Sequence, residues 1–526
     1  MKKQVFNPFL PLDEYIPDGE PHVFGNRLYL FGSHDTEGGQ RYCSEGNYIG
    51  WSAPLDDLSD WCCEGVIYEA KQDPRVKGDF GDLYAPDVVR GNDGRYYMYY
   101  GINGGIGSAG DDHNTPIGVA VCDTPAGRYE YLGFVRNPDG TPFLKYLPAD
   151  PAVINDDGVI RLYYGWALSM VAAGAHSGGE GQGEAGQAAG SGNPLPDFRA
   201  MPKEQLRQFL LGAEQMLFHR TREQLLAEPE DVMGANHVVL AEDMLTVISE
   251  PTRIVPSQFM AGGTSFEGHG FYEASSIRKI NGTYYFIYSD ENSNMLCYAT
   301  SQYPDREFVY RGILQSNGDV GLNGREGKDR LNMTANNHGS LECINGQWYV
   351  FYHRQTHNST YSRQACAEPV TIETDGSIRQ AECTSCGLNG GPLMAQGIYP
   401  SPIACNITNG HMPHATNRVV NADIPYITHG DNLRYITNIK QGTMICFKYF
   451  RFDGESRLAV MTRGPGSGQL IVSTDEAGQQ MLGQIEISST ADWKCFDVQI
   501  HATGIQALYL HYQGNEYTEL LDIQFR

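Results

Sequence analysis

The chain reads as an all-β protein: a five-bladed β-propeller over residues 1–392, then a β-sandwich of jelly-roll type over 393–526. A partly helical insertion interrupts the propeller at about 170–235. Three observations predict this. A turn-plus-aromatic-strand signature recurs five times, a polar residue stands in register ahead of each copy, and the pattern ends near Gly391.

The five signatures are Gly25-Asn26 before RLYLFGS, Asp93-Gly94 before RYYMYYG, Asp157-Gly158 before VIRLYYG, Asn281-Gly282 before TYYFIYS and Asn345-Gly346 before QWYVFYH. Such dipeptides between strand-like runs mark two-residue hairpins, whose central residues take positive φ. Seven to nine residues before each glycine a polar residue opens the preceding strand: Asp18, Asp87, Asp150, Glu273 and His338. The gaps between openers are 69, 63, 123 and 65 residues. The long gap holds a Gly/Ala-rich run from Ala172 to Gly192, read as a flexible loop, and a helical pattern from Pro202 to about Glu228. Without them the period returns to the sixties. Five strand-rich units of that length build a propeller, in which innermost strands start near the axis at one face. The five openers therefore converge.

Beyond Gly391 the repeat is gone. Runs such as MICFKYF, RLAVMT, CFDVQI and ALYLHY, separated by turns, read as a separate sandwich.

Composition narrows the function classes. Hydrophobic residues are 41% and charged residues 19%, which is globular rather than disordered. A formal charge of −25 repels phosphate backbones and excludes nucleic acid as a partner. No run approaches 18 apolar residues, so no membrane partner is expected. Lys2 and Lys3 are not followed by an apolar stretch, and twelve cysteines read as free thiols; both lead to an expected cytoplasmic location. Cys383 and Cys386 form a lone C-x-x-C without the partners a zinc site needs.

Several segments resemble glycoside hydrolase family 43. IPDGEPHVFGNRLYLFGS is similar to its first-blade segment, YAPDVVRGNDGRYYMYYG to its Ala-Pro-Asp motif, and FYEASSIRKINGTYYFIYS to its fourth-blade Glu motif. NNHGSLECINGQWYVFYHR is similar to its Gly-His-Gly-Ser segment, and YSRQACAEPVTIETDGSI to the stretch carrying a substrate-binding Arg. The resemblance covers about residues 7–390; LYLHYQGNEYTELLDIQF, at the end, resembles the last strands of a family 6 carbohydrate-binding module.

The resemblance implies an inverting hydrolase with Asp18 as general base, Asp87 tuning and orienting the acid, and Glu273 as general acid. Glycoside hydrolysis asks for two such carboxyl groups and for no cofactor, and a third acidic group can hold up the acid's pKa. Arg363 and His338 are expected to hold the sugar. Trp166 could stack on it, and His34, in the rim loop Ser33-His34-Asp35, could touch it. His338 is also the expected neighbour of a structural calcium on the propeller axis. Two departures stand out: Glu20 in Asp-Gly-Glu-Pro contends with Asp18, and Asn337 replaces a glycine before His338. Asp150, followed by Pro151, reads as a turn element.

The expected substrate is an oligosaccharide of plant origin ending in α-L-arabinofuranose or β-D-xylose, cut from its end. The alternatives are a non-catalytic glycan-binding propeller and a related five-bladed enzyme acting on another glycan such as galactan. The 170–235 insertion could reshape the rim or meet a second copy of the chain.

Overall fold

The computed structural model describes residues 4–77, 81–103, 115–170, 201–218, 220–228, 231–415 and 417–526. Five small antiparallel sheets follow one another along the chain. Blade I has strands Glu20–Phe24, Arg27–Phe31, Asn47–Pro54 and Cys62–Glu69. Blade II has Asp82–Arg90, Tyr96–Asn103, Gly118–Cys122 and Glu130–Phe134, and blade III has Ala152–Asp156, Val159–Trp166, Gly234–Leu240 and Thr252–Pro256. Blade IV has Phe271–Ile280, Thr283–Asp290, Met295–Ser301 and Val309–Ser316. Blade V has three strands, Leu341–Ile344, Gln347–Thr356 and Ser359–Val370. Asp18, Asp150 and His338 stand two or three residues before the innermost strands of their blades, while Asp87 and Glu273 lie within theirs.

The hairpin dipeptides behave in two ways. Asp157-Gly158, Asn281-Gly282 and Asn345-Gly346 have positive φ at both residues, as a two-residue turn between twisted strands requires. In Gly25-Asn26 and Asp93-Gly94 only the glycine is left-handed. Around Asp93 the loop is longer, closed by Gly91 N–H donating to Arg95 O at 2.8 Å.

Aromatic side chains fill the spaces between blades. Phe31, Tyr48 and Tyr68 of blade I pack with Val88, Met98 and Tyr100 of blade II. Leu28, Leu30 and Trp51 of blade I pack with Phe351 and Ala365 of blade V, which closes the ring. Each such side chain, once buried, contributes about 1.5–3 kcal/mol, so the ring is held mainly by these seams. A glycine is required at 339, where a Cβ would lie 1.8 Å from Phe351 O.

The insertion contains helix α1 (Lys203–Phe218) and helix α2 (Arg222–Leu226). Pro202 stands just ahead of α1, and Leu206, Leu210, Leu211 and Phe218 bury one face of it in the core shared by blades II to IV. The predicted helix is broken because Thr221 caps a new one: its hydroxyl accepts from Gln224 N–H while Gln224 returns the bond. The Ala172–Gly192 loop predicted from sequence lies outside the described residues.

Strands from Leu393 onward form one ten-stranded sheet. Its long strands Met444–Gly464 and Thr490–Gly514 pair along most of their length, and the sheet encloses one apolar core including Phe447, Phe450, Leu508 and Phe525. The N-terminal segment ties this sheet to the propeller: Asn7 donates to Ala367 O and Glu368, while Gln4 bonds Tyr399.

Candidate active site

The inner strands do not start as regular strands. Asp18, Ala85, Asp150 and Ala274 all have positive φ without being glycine. The pairing register also slips between Tyr84 and Asp87, and between Glu273 and Ser276. Bulges of this kind re-aim side chains at a strand end, and left-handed non-glycine residues concentrate where function holds them. The acidic openers are thus turned by backbone that costs folding energy.

Asp18 is 5% exposed. Its Oδ1 accepts from Arg363 Nη1 at 2.8 Å. Arg363 is itself 1% exposed, and the rest of its fork grips Asp35, with Nε at 2.8 Å and Nη2 at 3.0 Å. Tyr42 lies under the guanidinium at 4.7 Å. Burial raises the Asp18 carboxyl, but the Arg363 charge outweighs it and holds the group below the ordinary carboxylate range. His353 is neutral, its imidazole pushed down to about 3 by burial and by Arg363. Its Nε2 donates to Asn336 O at 2.9 Å, which leaves Nδ1 to accept from Asp18 N–H at 3.3 Å. Asp18 is therefore an ionised carboxylate locked from two sides.

Glu273 has the opposite surroundings. Burial, then the charges of Asp150 and Asp18, push its carboxyl up to about 8. The Asn336 amide donates weakly to it at 3.4 Å. Asp150 is anchored by the bulge itself, since Ala274 N–H donates to its Oδ2 at 2.8 Å. One carboxyl that stays charged and one that stays protonated near neutrality meet the two needs of acid–base glycoside cleavage.

Asp87 corrects the sequence reading. It is fully buried, and its oxygens accept from Val88 N–H at 2.7 Å and Val153 N–H at 2.6 Å, with His22 Nε2 at 2.7 Å. Its charge is spent on joining blades I to III, and Asp150 is the opener beside Glu273. The Asp150-Pro151 pair that reads as a turn element therefore carries an opener whose carboxylate stays in register with the others and reaches the Glu273 strand. Glu20, the contender for the base, faces Arg278 at 2.9 Å in the Asp87 cluster, where burial raises its carboxyl.

The other predicted residues are distributed as follows. His338 is 5% exposed, with Nδ1 3.9 Å from Asp150 Oδ2 and 4.0 Å from Asp18 Oδ1, between the two carboxylates. Trp166 ends a blade III strand, half-buried between Tyr272 at 6.2 Å and Phe218 of α1 at 5.6 Å. The insertion thus reaches Trp166, which packs on Tyr272, the residue preceding Glu273. His34 is turned away from a free role: Nδ1 meets Asn47 at 2.8 Å and Nε2 meets Glu14 at 3.2 Å. Arg363 likewise has its guanidinium nitrogens on carboxylates, so it orients Asp18 and Asp35.

Calcium prefers six to eight oxygen ligands. At the axis His338 offers one nitrogen, and the carboxylate oxygens near it are already bonded to Arg363 and to Ala274 N–H. These residues do not fit the oxygen cage that calcium takes. Sequence reading also missed Asp35, His353 and Asn336. Asp35 stood in the motif read as a rim loop; His353 and Asn336 carry no spacing signal.

The profile of the family described as glycosyl hydrolases family 43 matches residues 219–378. A curated relative from Thermoclostridium stercorarium, described as a xylosidase/arabinosidase, is 39% identical over 529 residues, covering 98% of this chain and 97% of its own length. A second, from Bacteroides ovatus and described in the same words, is 27% identical over 386 residues, covering 70% of this chain and 96% of its own. A β-xylosidase from Xylanibacter ruminicola is 25% identical over 379 residues, covering 70% of this chain and 96% of its own length. Full-length identity of that order, on a five-bladed propeller with a charged and a protonated carboxyl at its mouth, makes the chain a glycoside hydrolase belonging to glycosyl hydrolases family 43.

Proposed function

We propose that the protein is an inverting, exo-acting hydrolase that releases a terminal pentose, α-L-arabinofuranose or β-D-xylose, from plant-derived oligosaccharides. The observation that carries the acid–base reading is the opposed environment of Asp18 and Glu273. The descriptions of the relatives support the pentose. Asp18 takes a proton from water as the water oxygen bonds to the anomeric carbon. The glycosidic C–O bond breaks, and its oxygen takes the Glu273 proton. Asp150 and Asp18 keep that proton on Glu273 until the leaving oxygen demands it. Arg363 and His353 hold Asp18 in place, His338 lines the floor between the carboxylates, and Trp166 offers an aromatic face to the sugar. The twelve cysteines, all free of disulfides, support a reducing, cytoplasmic setting in which short oligosaccharides are the substrate.

The test is proton NMR of the first-formed sugar from xylobiose and from an arabinofuranosyl-xylobiose. The reading expects one of them to be cut, with the released pentose first appearing in the inverted anomer. A retained anomer, or cleavage of neither, overturns it.

A further inference from the structure

Away from the catalytic carboxyls, three potential ligand atoms meet where the propeller touches the C-terminal sheet: Glu37 Oε1, His357 Nε2 and His429 Nδ1. Glu37 follows the blade I strand Arg27–Phe31. His357 sits in the turn between the last two blade V strands. His429 lies on Tyr426–Gly430 of the C-terminal sheet. The turn is docked there by His357 N–H donating to Ile427 O at 2.8 Å.

The separations are 2.8 Å between the two ring nitrogens, 3.5 Å from His429 Nδ1 to Glu37 Oε1, and 4.0 Å from His357 Nε2 to Glu37 Oε1. The point equidistant from three atoms so spaced lies about 2.0 Å from each, the length of a zinc bond to imidazole or carboxylate. His357 is preset for the task. Thr356 Oγ1 donates to Ser362 O at 2.9 Å, so it accepts from His357 Nδ1 at 2.8 Å. Ser362 Oγ lies 3.2 Å from the same nitrogen, and the tautomer with the proton on Nδ1 leaves the Nε2 lone pair facing His429. A ligand histidine whose other nitrogen donates to a neighbour is the usual supporting arrangement of a metal site. His429 is exposed, which leaves room for a water as fourth ligand.

We propose that Glu37, His357 and His429 bind a zinc-class divalent cation that pins the C-terminal sheet to the propeller. Arg434 lies opposite His429 in the same hairpin and grips Glu37, with Nη2 2.8 Å from Oε2 and Nε 3.1 Å from Oε1. Tyr15 also donates to Oε1 at 3.1 Å. A carboxylate offers about four lone-pair sites, so the Nη2 bond persists while one donor on Oε1 gives way to the metal. His₂Glu with an added water is a ligand set that suits zinc over calcium or magnesium.

The test uses the full chain stripped with EDTA and titrated with zinc chloride by calorimetry, and with cobalt(II) by visible absorption. One equivalent should bind at micromolar concentration or below, raise the Tm, and give the intense visible bands of four-coordinate cobalt. Calcium and magnesium should do none of these. His429→Ala and His429→Gln, both at an exposed position, should lose that one equivalent and the cobalt bands. Absence of a one-equivalent site in the wild type, or cobalt bands undiminished in both variants, overturns the proposal.

Discussion

Asp150→Asn isolates the group that keeps the acid protonated. The Asn side chain keeps an oxygen for Ala274 N–H, so the bulge is retained while the charge is lost. Asp150 is the largest charge acting on Glu273, after burial, in raising it to about 8. Removing a neighbouring charge of this kind shifts a carboxyl by about 1–3 units. A shift of one unit moves the basic limb of kcat/KM from about 8 to about 7, and the protonated fraction at pH 8 falls from about a half to about a tenth. The assay is the pH profile on xylobiose, because a poor leaving group depends on the acid where an activated aryl group does not. Asp87→Asn is the control. It should leave the basic limb in place while lowering stability by about 1–3 kcal/mol, since two backbone N–H groups lose a charged acceptor. The reasoning is refuted if Asp150→Asn leaves the limb unmoved, or if Asp87→Asn moves it as far.

Further expectations concern the same site. Glu273 has a folded value raised to about 8 from 4.5, so its neutral form is favoured on folding and stability is lost as pH rises between those values. Glu273→Gln should therefore have a Tm advantage over wild type that is absent below pH 4.5, grows toward pH 8 and then levels; calorimetry across that range checks it. Arg363→Ala should cost about 3–5 kcal/mol in urea unfolding, because Asp18 and Asp35 would be left buried without their cation. EGTA followed by added calcium should leave turnover of xylobiose unchanged; a loss restored by calcium would overturn the reading of the axis.

The propeller was legible because its signal repeats. Three of the five hairpin dipeptides have both residues left-handed, and the aromatic strands behind them form the blade seams. The openers were legible as a set, since register along a strand survives in sequence spacing. Which opener does what was not legible. Asp87 and Asp150 differ by a bulge and by which backbone N–H groups lie opposite, and those partners come from other blades. For the same reason Arg363 was read as a sugar contact: its two carboxylate partners lie 345 and 328 residues away. The helical insertion was visible from its periodicity, but its reach to Trp166 depends on tertiary packing.

The central claim is that Asp18 and Glu273 are the two working carboxyls. Steady-state hydrolysis of xylobiose and an arabinofuranosyl-xylobiose by wild type, Asp18→Asn and Glu273→Gln tests it most directly. The account predicts turnover by the wild type and a loss of about 10²–10⁴-fold in each variant, with both still folded. Turnover within tenfold of wild type in either folded variant would contradict it.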